Sequence, residues 1–329
     1  MIDPLILLSK VAILVLMIVP GFLLAKAKLF PEGTGKALSN LILYAAQVAL
    51  IIAGFCSVDP TKDILLRMLA VFLLALVSHP IFYLIGRLFF HSAEEAKKKV
   101  LIFSTVFTNA GYMGIPLLES LFLQDHPEVA IYGAVYVTAF NVYLWTLGAY
   151  LYTDDKKYIT AKKIFLNPAT IATLVGLGIF ALSAISAVRD AFILPVVRDG
   201  NGIVMSLLTA FKGMVAPLSM VIIGLRLTDL KIGQAIRDKN LYLNIFVSLF
   251  LVPIAVFAIL KLLSVTGIYH DELAASVLMI SAAAPAATAT SMFAEKFDGD
   301  GVYAGLIVSI TTILCVITMP LVCMLLKLY

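Results

Sequence analysis

The sequence predicts an all-α integral membrane protein with ten transmembrane helices, arranged as a 5+5 inverted repeat with broken helices 4 and 9. Three observations lead to this prediction. Hydrophobic residues make up 62% of the 329 residues and charged residues only 13%, with a mean hydropathy of +1.04. The apolar residues are grouped into runs of about 20, the length that crosses a bilayer as a helix. Two of these runs carry glycine or proline near their middles.

The composition excludes several other classes of protein. Soluble domains contain about 25% charged residues, and a single core stops growing near about 250–300 residues. No run of five or more basic residues is present, so we expect no nucleic-acid partner. The three cysteines, Cys56, Cys315 and Cys323, lie in or beside apolar runs without the spacing of a metal site or a disulfide framework. We therefore expect no cofactor and no resident metal.

Ten segments, numbered 1–10 in chain order, are long and apolar enough to span. The first lacks the basic residues that precede the apolar core of a signal peptide, so we interpret it as a transmembrane helix. The ten segments are 4–25, 35–57, 64–90, 99–122, 129–152, 167–188, 202–226, 241–264, 273–294 and 302–327.

The basic residues predict the orientation. Most lysines and arginines lie in loops 1–2, 3–4, 5–6, 7–8 and 9–10, as Lys28, Lys98 and Lys296 illustrate. Loops rich in lysine and arginine stay in the cytoplasm. Because the number of segments is even, both termini are then expected on the non-cytoplasmic side of the cell (inner) membrane.

The segments divide into two sets of five, within residues 1–152 and 164–329. Since five is odd, the second set enters the membrane with the opposite orientation, which makes an inverted repeat. Segments 3 and 8 carry the similar runs His79-Pro80-Ile81 and Val252-Pro253-Ile254. We therefore expect segments 4 and 9 to occupy equivalent positions.

Segments 4 and 9 are both predicted to be broken. Segment 4 contains Gly111, Gly114 and Pro116, and segment 9 has Pro285 among alanines. Proline removes one helical hydrogen bond, and glycine costs about 1 kcal/mol relative to alanine. Non-helical backbone is tolerated at membrane depth only where it is buried or lines a cavity. A kink without function is the alternative for one helix, but two matching breaks indicate a binding site.

The new helix ends at such breaks favour anions, because their N–H groups are free and carry the positive end of the helix dipole. We therefore predict a substrate site in which small and polar residues contact the ligand. It consists of Asn109, Gly111, Gly114, Pro116, Pro285, Thr288, Ser281 and Gln47.

Two ionisable residues lie deep in the predicted segments, and such residues are functional candidates. Lys212 lies about 15 Å into segment 7. It could be a counter-charge for an anion or a proton site, or a lysine that extends to the interface or pairs with helix carbonyls. His79 could be a proton site or a hydrogen-bonded structural histidine.

The residues of the two breaks resemble the auxin efflux carrier family. The similar runs are Asn109 with Met113-Gly114-Ile115-Pro116, and Ala283-Ala284-Pro285 followed by Phe293-Ala294-Glu295-Lys296-Phe297. Pro217-Leu218-Ser219 with Gly224, and Asn167-Pro168, also fit the family. The similarity covers nearly the whole chain, and the short loop 5–6 resembles bacterial rather than plant members.

The resemblance implies the ten-helix fold with crossing broken helices that bile acid sodium symporters share. It implies a scaffold of segments 1, 2, 6 and 7 (4–57 and 167–226) and a mobile transport domain of segments 3–5 and 8–10 (64–152 and 241–327). It further implies a homodimer through the scaffold and a role for Asn109 in binding carboxylate. Ala286 replaces a polar residue of the plant members, so auxin itself is not the expected substrate.

We expect a secondary transporter of small organic anions, such as malate or malonate, that works by elevator-like alternating access. Proton or sodium coupling is left open. The alternatives are a sodium-coupled symporter of a bulkier anion and a membrane receptor, although a receptor usually adds a signalling domain. There is no P-loop or nucleophile motif, so we do not expect an enzyme.

Overall fold

The computed structural model describes residues 3–153, 165–198, 202–228, 237–297 and 299–329, and every regular element within these ranges is a helix. Seven helices of this described part are long and apolar enough to cross a bilayer. They are α1 (Pro4–Lys26), α2 (Thr34–Cys56), α3 (Lys62–Phe89), α6 (Val129–Thr153), α9 (Ile203–Leu227), α10 (Lys239–Val265) and α13 (Gly301–Leu328). The shorter helices are α4 (Glu95–Val106), α5 (Ile115–Phe122), α7 (Pro168–Leu182), α8 (Ser186–Val197), α11 (Glu272–Ala283) and α12 (Ala289–Lys296).

The ten predicted segments therefore correspond to seven continuous helices and three interrupted ones. Segment 4 is α4 followed by α5, segment 9 is α11 followed by α12, and segment 6 contains α7. If the bent pair α7 and α8 is counted as one span, the number of spans is eight. The proposed boundary between the two repeats, residues 153–163, lies almost wholly outside the described residues.

Segment 6 differs from the prediction of a straight helix over 167–188. Helix α7 ends at Leu182, and α8 continues at an angle of 107° to it. The extended backbone of Ile185 (φ −89°, ψ 107°) interrupts the helical hydrogen bonds at this point. The second side is less apolar, since it contains Arg189 and Asp190, but hydropathy does not give the direction in which a helix continues.

Side-chain caps explain where several helices begin. Asn167 accepts a hydrogen bond from Ala169 N at 2.8 Å at the start of α7. Asp271 accepts from Ala274 N at 2.7 Å at the start of α11. These caps satisfy N–H groups that have no partner within their own helix.

The broken segments form the centre of the bundle. All residues of α11 from Leu273 to Ala283 are buried, and so is α4 from Val100 to Val106. By contrast, α1 and α3 expose many large apolar side chains, such as Leu16 and Leu84. An apolar outer surface around a buried polar centre is the arrangement that a lipid environment requires.

Glycines bring pairs of helices into close contact. A Cβ atom on Gly224 of α9 would lie 2.6 Å from Phe22 N of α1. At Gly176 of α7 the neighbour is a side chain, because a Cβ atom there would lie 2.9 Å from Phe55 Cγ of α2. Close backbone approach through small residues is the usual way in which membrane helices associate. The pairs α1–α9 and α2–α7 are therefore held at short range.

Candidate functional site

The two breaks meet in the middle of the bundle. Asn109 N donates a hydrogen bond to Pro285 O at 2.7 Å, and Ala287 N donates to Phe107 O at 2.8 Å. Thr108 and Ala286 consequently form an isolated antiparallel bridge. Thr108 Oγ1 also donates to Ser281 O, the carbonyl of a residue in the last turn of α11, at 2.7 Å. Each break therefore provides hydrogen-bond partners for the non-helical backbone of the other.

Local sequence explains why α11 stops where it does. Ala284 has extended backbone (φ −62°, ψ 149°), the conformation favoured for a residue that precedes proline. Pro285 has no N–H group to donate, and its carbonyl is free to accept from Asn109. The break in segment 9 thus provides an acceptor where the break in segment 4 needs one.

Each break is followed by a new helix start. Asn109 is the residue before the helical turn Ala110–Gly114, which continues into α5, and Thr288 is the residue before α12. Pro116 lies in the first turn of α5, where proline is tolerated. The first N–H groups of a helix have no partner within it and carry partial positive charge. Two such helix starts lie close together here and can bind an anion.

A cavity of about 1540 Å³ leads to this place from the loop between α1 and α2. Its inner end is lined by the predicted site residues Asn109, Gly111, Thr288 and Gln47. Its other end includes Lys28 and further charged residues. Those charged lining residues are Lys28, Glu32, Lys36, Arg226, Glu295 and Lys296.

The Asn109 side chain has an unused donor. The residue is 3% exposed, and its Nδ2 atom is buried without a hydrogen-bond partner among the described residues. A buried donor without a partner costs about 1–3 kcal/mol. A ligand oxygen bound at the inner end of the cavity could accept this hydrogen bond.

The remaining predicted site residues have supporting positions. Ser281 and Pro285 supply the carbonyl oxygens that hold the other break in place. Gly114 N donates to Asn109 O at 3.1 Å within the helical turn. Gly111 lies next to α2, because a Cβ atom there would be 3.1 Å from Gln47 Nε2.

Lys212 and His79 do not line the cavity. Lys212 Nζ lies 3.0 Å from Glu119 Oε1, with side-chain exposures of 22% and 15%. His79 is fully buried, its Nδ1 is 2.7 Å from Ala75 O, and its ring stacks on Tyr143 at 5.3 Å. The nearest partner of Lys212 is therefore a carboxylate of this chain.

Several cavity residues were not among the predicted site residues. Tyr112 lies in the helical turn that follows the first break, and Trp145 is the single tryptophan of the chain. Lys296 Nζ stands 5.3 Å from the centre of the Trp145 ring, a cation–π contact. The presence of Tyr112 in the glycine-rich run, and of a lone tryptophan in an apolar segment, could have indicated the first two.

Ion pairs connect the helix starts at the two ends of the bundle. Arg67 at the start of α3 binds Asp271 before α11, with Nε to Oδ2 at 2.7 Å. At the opposite end of the helices, Lys97 of α4 binds Asp238 before α10, with Nζ to Oδ2 at 3.0 Å. Burial of Asp238 alone would raise its pKa, but the hydrogen bonds from Lys97 and from Asn240 N outweigh it. The pKa of Asp238 is therefore below its usual value.

A comparison with protein families gives one match that covers nearly the whole chain. The family model described as "Membrane transport protein" matches residues 6–323, and this family is the auxin efflux carrier family. It is a family of membrane transporters and not of enzymes. No curated protein matches the chain.

Proposed function

The chain belongs to the auxin efflux carrier family, and we propose that it carries small organic anions, carboxylates such as malate or malonate, by elevator-like alternating access. The substrate is held where the two breaks meet. The observation that carries this proposal is the unpartnered Asn109 Nδ2, buried between two helix starts at the inner end of a large cavity. Backbone and amide N–H donors of this kind bind an anion without a positively charged side chain.

The ten-span inverted repeat is supported by the pairing of contacts. In an inverted repeat, segments 1–5 correspond in order to segments 6–10. The contact between segments 1 and 7 then corresponds to the contact between segments 6 and 2. These are the two glycine-mediated pairs, α1–α9 and α2–α7. The break of segment 4 likewise corresponds to the break of segment 9. The scaffold then contains segments 1, 2, 6 and 7, and the transport domain contains segments 3–5 and 8–10.

The basic residues support the orientation of this arrangement. The mouth of the cavity is lined by Lys28, Lys36 and Lys296, which belong to the loops assigned to the cytoplasm. The cavity is therefore open to the inside, with both termini on the non-cytoplasmic side of the inner membrane. We further propose that two copies associate through the scaffold.

Transport is driven by a proton, by sodium or by the substrate gradient alone. The surroundings of His79 favour the structural interpretation. Five aromatic rings and one backbone carbonyl surround it, and no carboxylate of the described residues contacts it. Lys212 is not a direct counter-charge for the substrate, because Glu119 already balances its charge. Its role lies instead in the transport cycle.

A sodium-coupled carrier of a bulkier anion is the second candidate, favoured by the volume of about 1540 Å³. A small dicarboxylate would fill only part of that space. In the part of the chain that the structure describes, no group of three or more His, Cys, Asp or Glu is placed to hold a metal ion. A sodium site would thus depend on carbonyl, hydroxyl and amide oxygens.

Uptake into proteoliposomes tests the proposal. Purified protein is reconstituted with internal unlabelled malonate or malate, and the exchange of external labelled substrate is followed with and without sodium. We expect exchange by the wild type and at least a tenfold loss in Asn109→Ala, the change that corresponds to about 1.4 kcal/mol. Exchange of a bile-acid-sized anion alone, dependent on sodium, would instead support the second candidate.

A further inference from the structure

Helix α9 forms an ion pair with each of the two broken segments. Lys212 Nζ lies 3.0 Å from Glu119 Oε1 of α5, and Arg226 Nη1 lies 2.6 Å from Glu295 Oε1 of α12. In the proposed arrangement α9 belongs to the scaffold, while α5 and α12 belong to the transport domain. Both ion pairs therefore connect parts that have to move relative to each other.

The two pairs lie on opposite sides of the binding site. Glu119 follows Asn109 by about 15 Å of helix, on the side away from the cavity mouth. Arg226 and Glu295 line the cavity at the mouth; the Arg226 side chain is 18% exposed, and its partner Glu295 is 58% exposed. Lys212 and Glu119 are only 22% and 15% exposed. One pair thus stands at the open end and the other at the closed end.

Burial makes the Lys212–Glu119 pair the stronger connection. An exposed ion pair contributes little, because water and salt screen it. In a partly buried pair, separation of the partners leaves each charge poorly solvated unless water reaches both. The Lys212–Glu119 pair can therefore separate at low cost only when the closed end of the bundle opens to water.

We propose that the Lys212–Glu119 ion pair is the gate of the carrier on the side opposite the cavity mouth, and that it opens once in each transport cycle. This inference rests on the alternating access of the proposed function. It does not depend on which substrate is carried, because neither residue lines the cavity.

Labelling of a cavity cysteine from each face of the membrane tests the gate without any substrate. The reporter is Leu144→Cys, which lines the cavity, after the buried Cys56, Cys315 and Cys323 have been changed to alanine. A membrane-impermeant maleimide is applied to inside-out and right-side-out vesicles. With the gate intact, we expect labelling only from the face of the cavity mouth.

Loss of the ion pair should favour the opposite state. In Lys212→Gln and Glu119→Gln we expect labelling from the mouth face to fall about fivefold, and labelling from the other face to rise. The charge-swapped double variant Lys212→Glu with Glu119→Lys should restore the wild-type pattern. Asp271→Asn is the matched control, because it breaks the Arg67–Asp271 pair wholly within the transport domain and should leave labelling unchanged.

The gate is refuted if both single variants label like the wild type from both faces. It is also refuted if the charge swap labels like the single variants although it is folded. If Lys212→Gln does not reach the membrane, Glu119→Gln and the charge-swapped double variant still test the gate. A carrier that fails to transport malonate but shows these labelling shifts would retain the gate and lose only the substrate assignment.

Discussion

The close contact of α1 and α9 allows a quantitative prediction for Gly224→Ala. The new Cβ atom would lie 2.6 Å from Phe22 N and 2.9 Å from Gly21 C, both backbone atoms. Ile18 O is closer still, and ordinary contacts begin at 3.4 Å. The two helices must therefore separate by at least about 0.8 Å, the distance that relieves the contact with Phe22 N. Overpacking of this kind costs typically about 1–3 kcal/mol.

Backbone atoms cannot rotate away as a side chain can, so we take the upper end, about 3 kcal/mol. Alanine gains about 1 kcal/mol of helix propensity over glycine, and the net loss is then about 2 kcal/mol. The free energy of unfolding is measured in dodecyl maltoside micelles by titration with sodium dodecyl sulfate. Gly178→Ala is the matched control, because a Cβ atom at Gly178 meets nothing within 4 Å. It should leave stability unchanged or raise it by up to about 1 kcal/mol. A Gly224→Ala variant as stable as Gly178→Ala would refute the close packing.

Three further predictions concern the site and the ion pairs. Gly111→Ala places a Cβ atom 3.1 Å from Gln47 Nε2, so we expect weaker anion binding by calorimetry with little loss of unfolding free energy. Thr108→Val removes the hydrogen bond to Ser281 O and should lower the unfolding free energy by about 0.6–1.7 kcal/mol in the same detergent titration. The lowered pKa of Asp238 stabilises the fold above the ordinary carboxyl value of about 4, and this contribution is lost as the pH falls through the folded-state pKa. The stability difference between wild type and Asp238→Asn should therefore be constant from pH 8 to about 5 and shrink below about pH 4.

Each of these predictions has a contradicting result. Unchanged affinity in Gly111→Ala would place the ligand away from the first break. A Thr108→Val variant as stable as the wild type would show that the hydrogen bond from Thr108 to Ser281 O contributes nothing. A difference between wild type and Asp238→Asn that instead shrinks above pH 6 would exclude this carboxylate as its source.

The breaks were the part of the fold best predicted from the sequence. Proline and glycine act through their own backbone chemistry, so Gly111, Gly114 and Pro285 indicate interrupted helices without knowledge of any neighbour. The structure interrupts segment 9 at Pro285, whereas segment 4 is interrupted at residues 107–109, just before the helical turn Ala110–Gly114 that contains both glycines. Seven of the ten segments are continuous helices, because hydropathy and length alone decide such spans.

The partners of charged residues could not be predicted in the same way. Lys212 and Glu119 are far apart in the chain, and only the fold brings them within 3.0 Å. From the sequence, only the depth of Lys212 in the membrane could be inferred. A gate, a counter-charge and a proton site could all lie at that depth. For the same reason, only the fold shows that Arg226 and Lys296 line the mouth of one cavity.

The bend between α7 and α8 also depends on information that hydropathy does not carry. The residues from Leu182 to Ser186 include neither glycine nor proline. The change of direction there is visible only in the backbone angles of Ile185.

The central claim is that an anion binds where the two breaks meet, with Asn109 as a donor. The most direct measurement is the thermal stability of purified protein with malonate, malate, succinate, indole-acetate and taurocholate, each with and without sodium. A ligand at a hundredfold excess over its Kd raises the free energy of unfolding by about 2.7 kcal/mol. We predict this increase for a small carboxylate in the wild type and its loss in Asn109→Ala. Asn141→Ala should keep it, because the Asn141 amide in the same cavity already binds Val137 O and Asn167. Folded wild-type protein that no anion stabilises, or an Asn109→Ala variant that is stabilised as much as the wild type, would contradict the account.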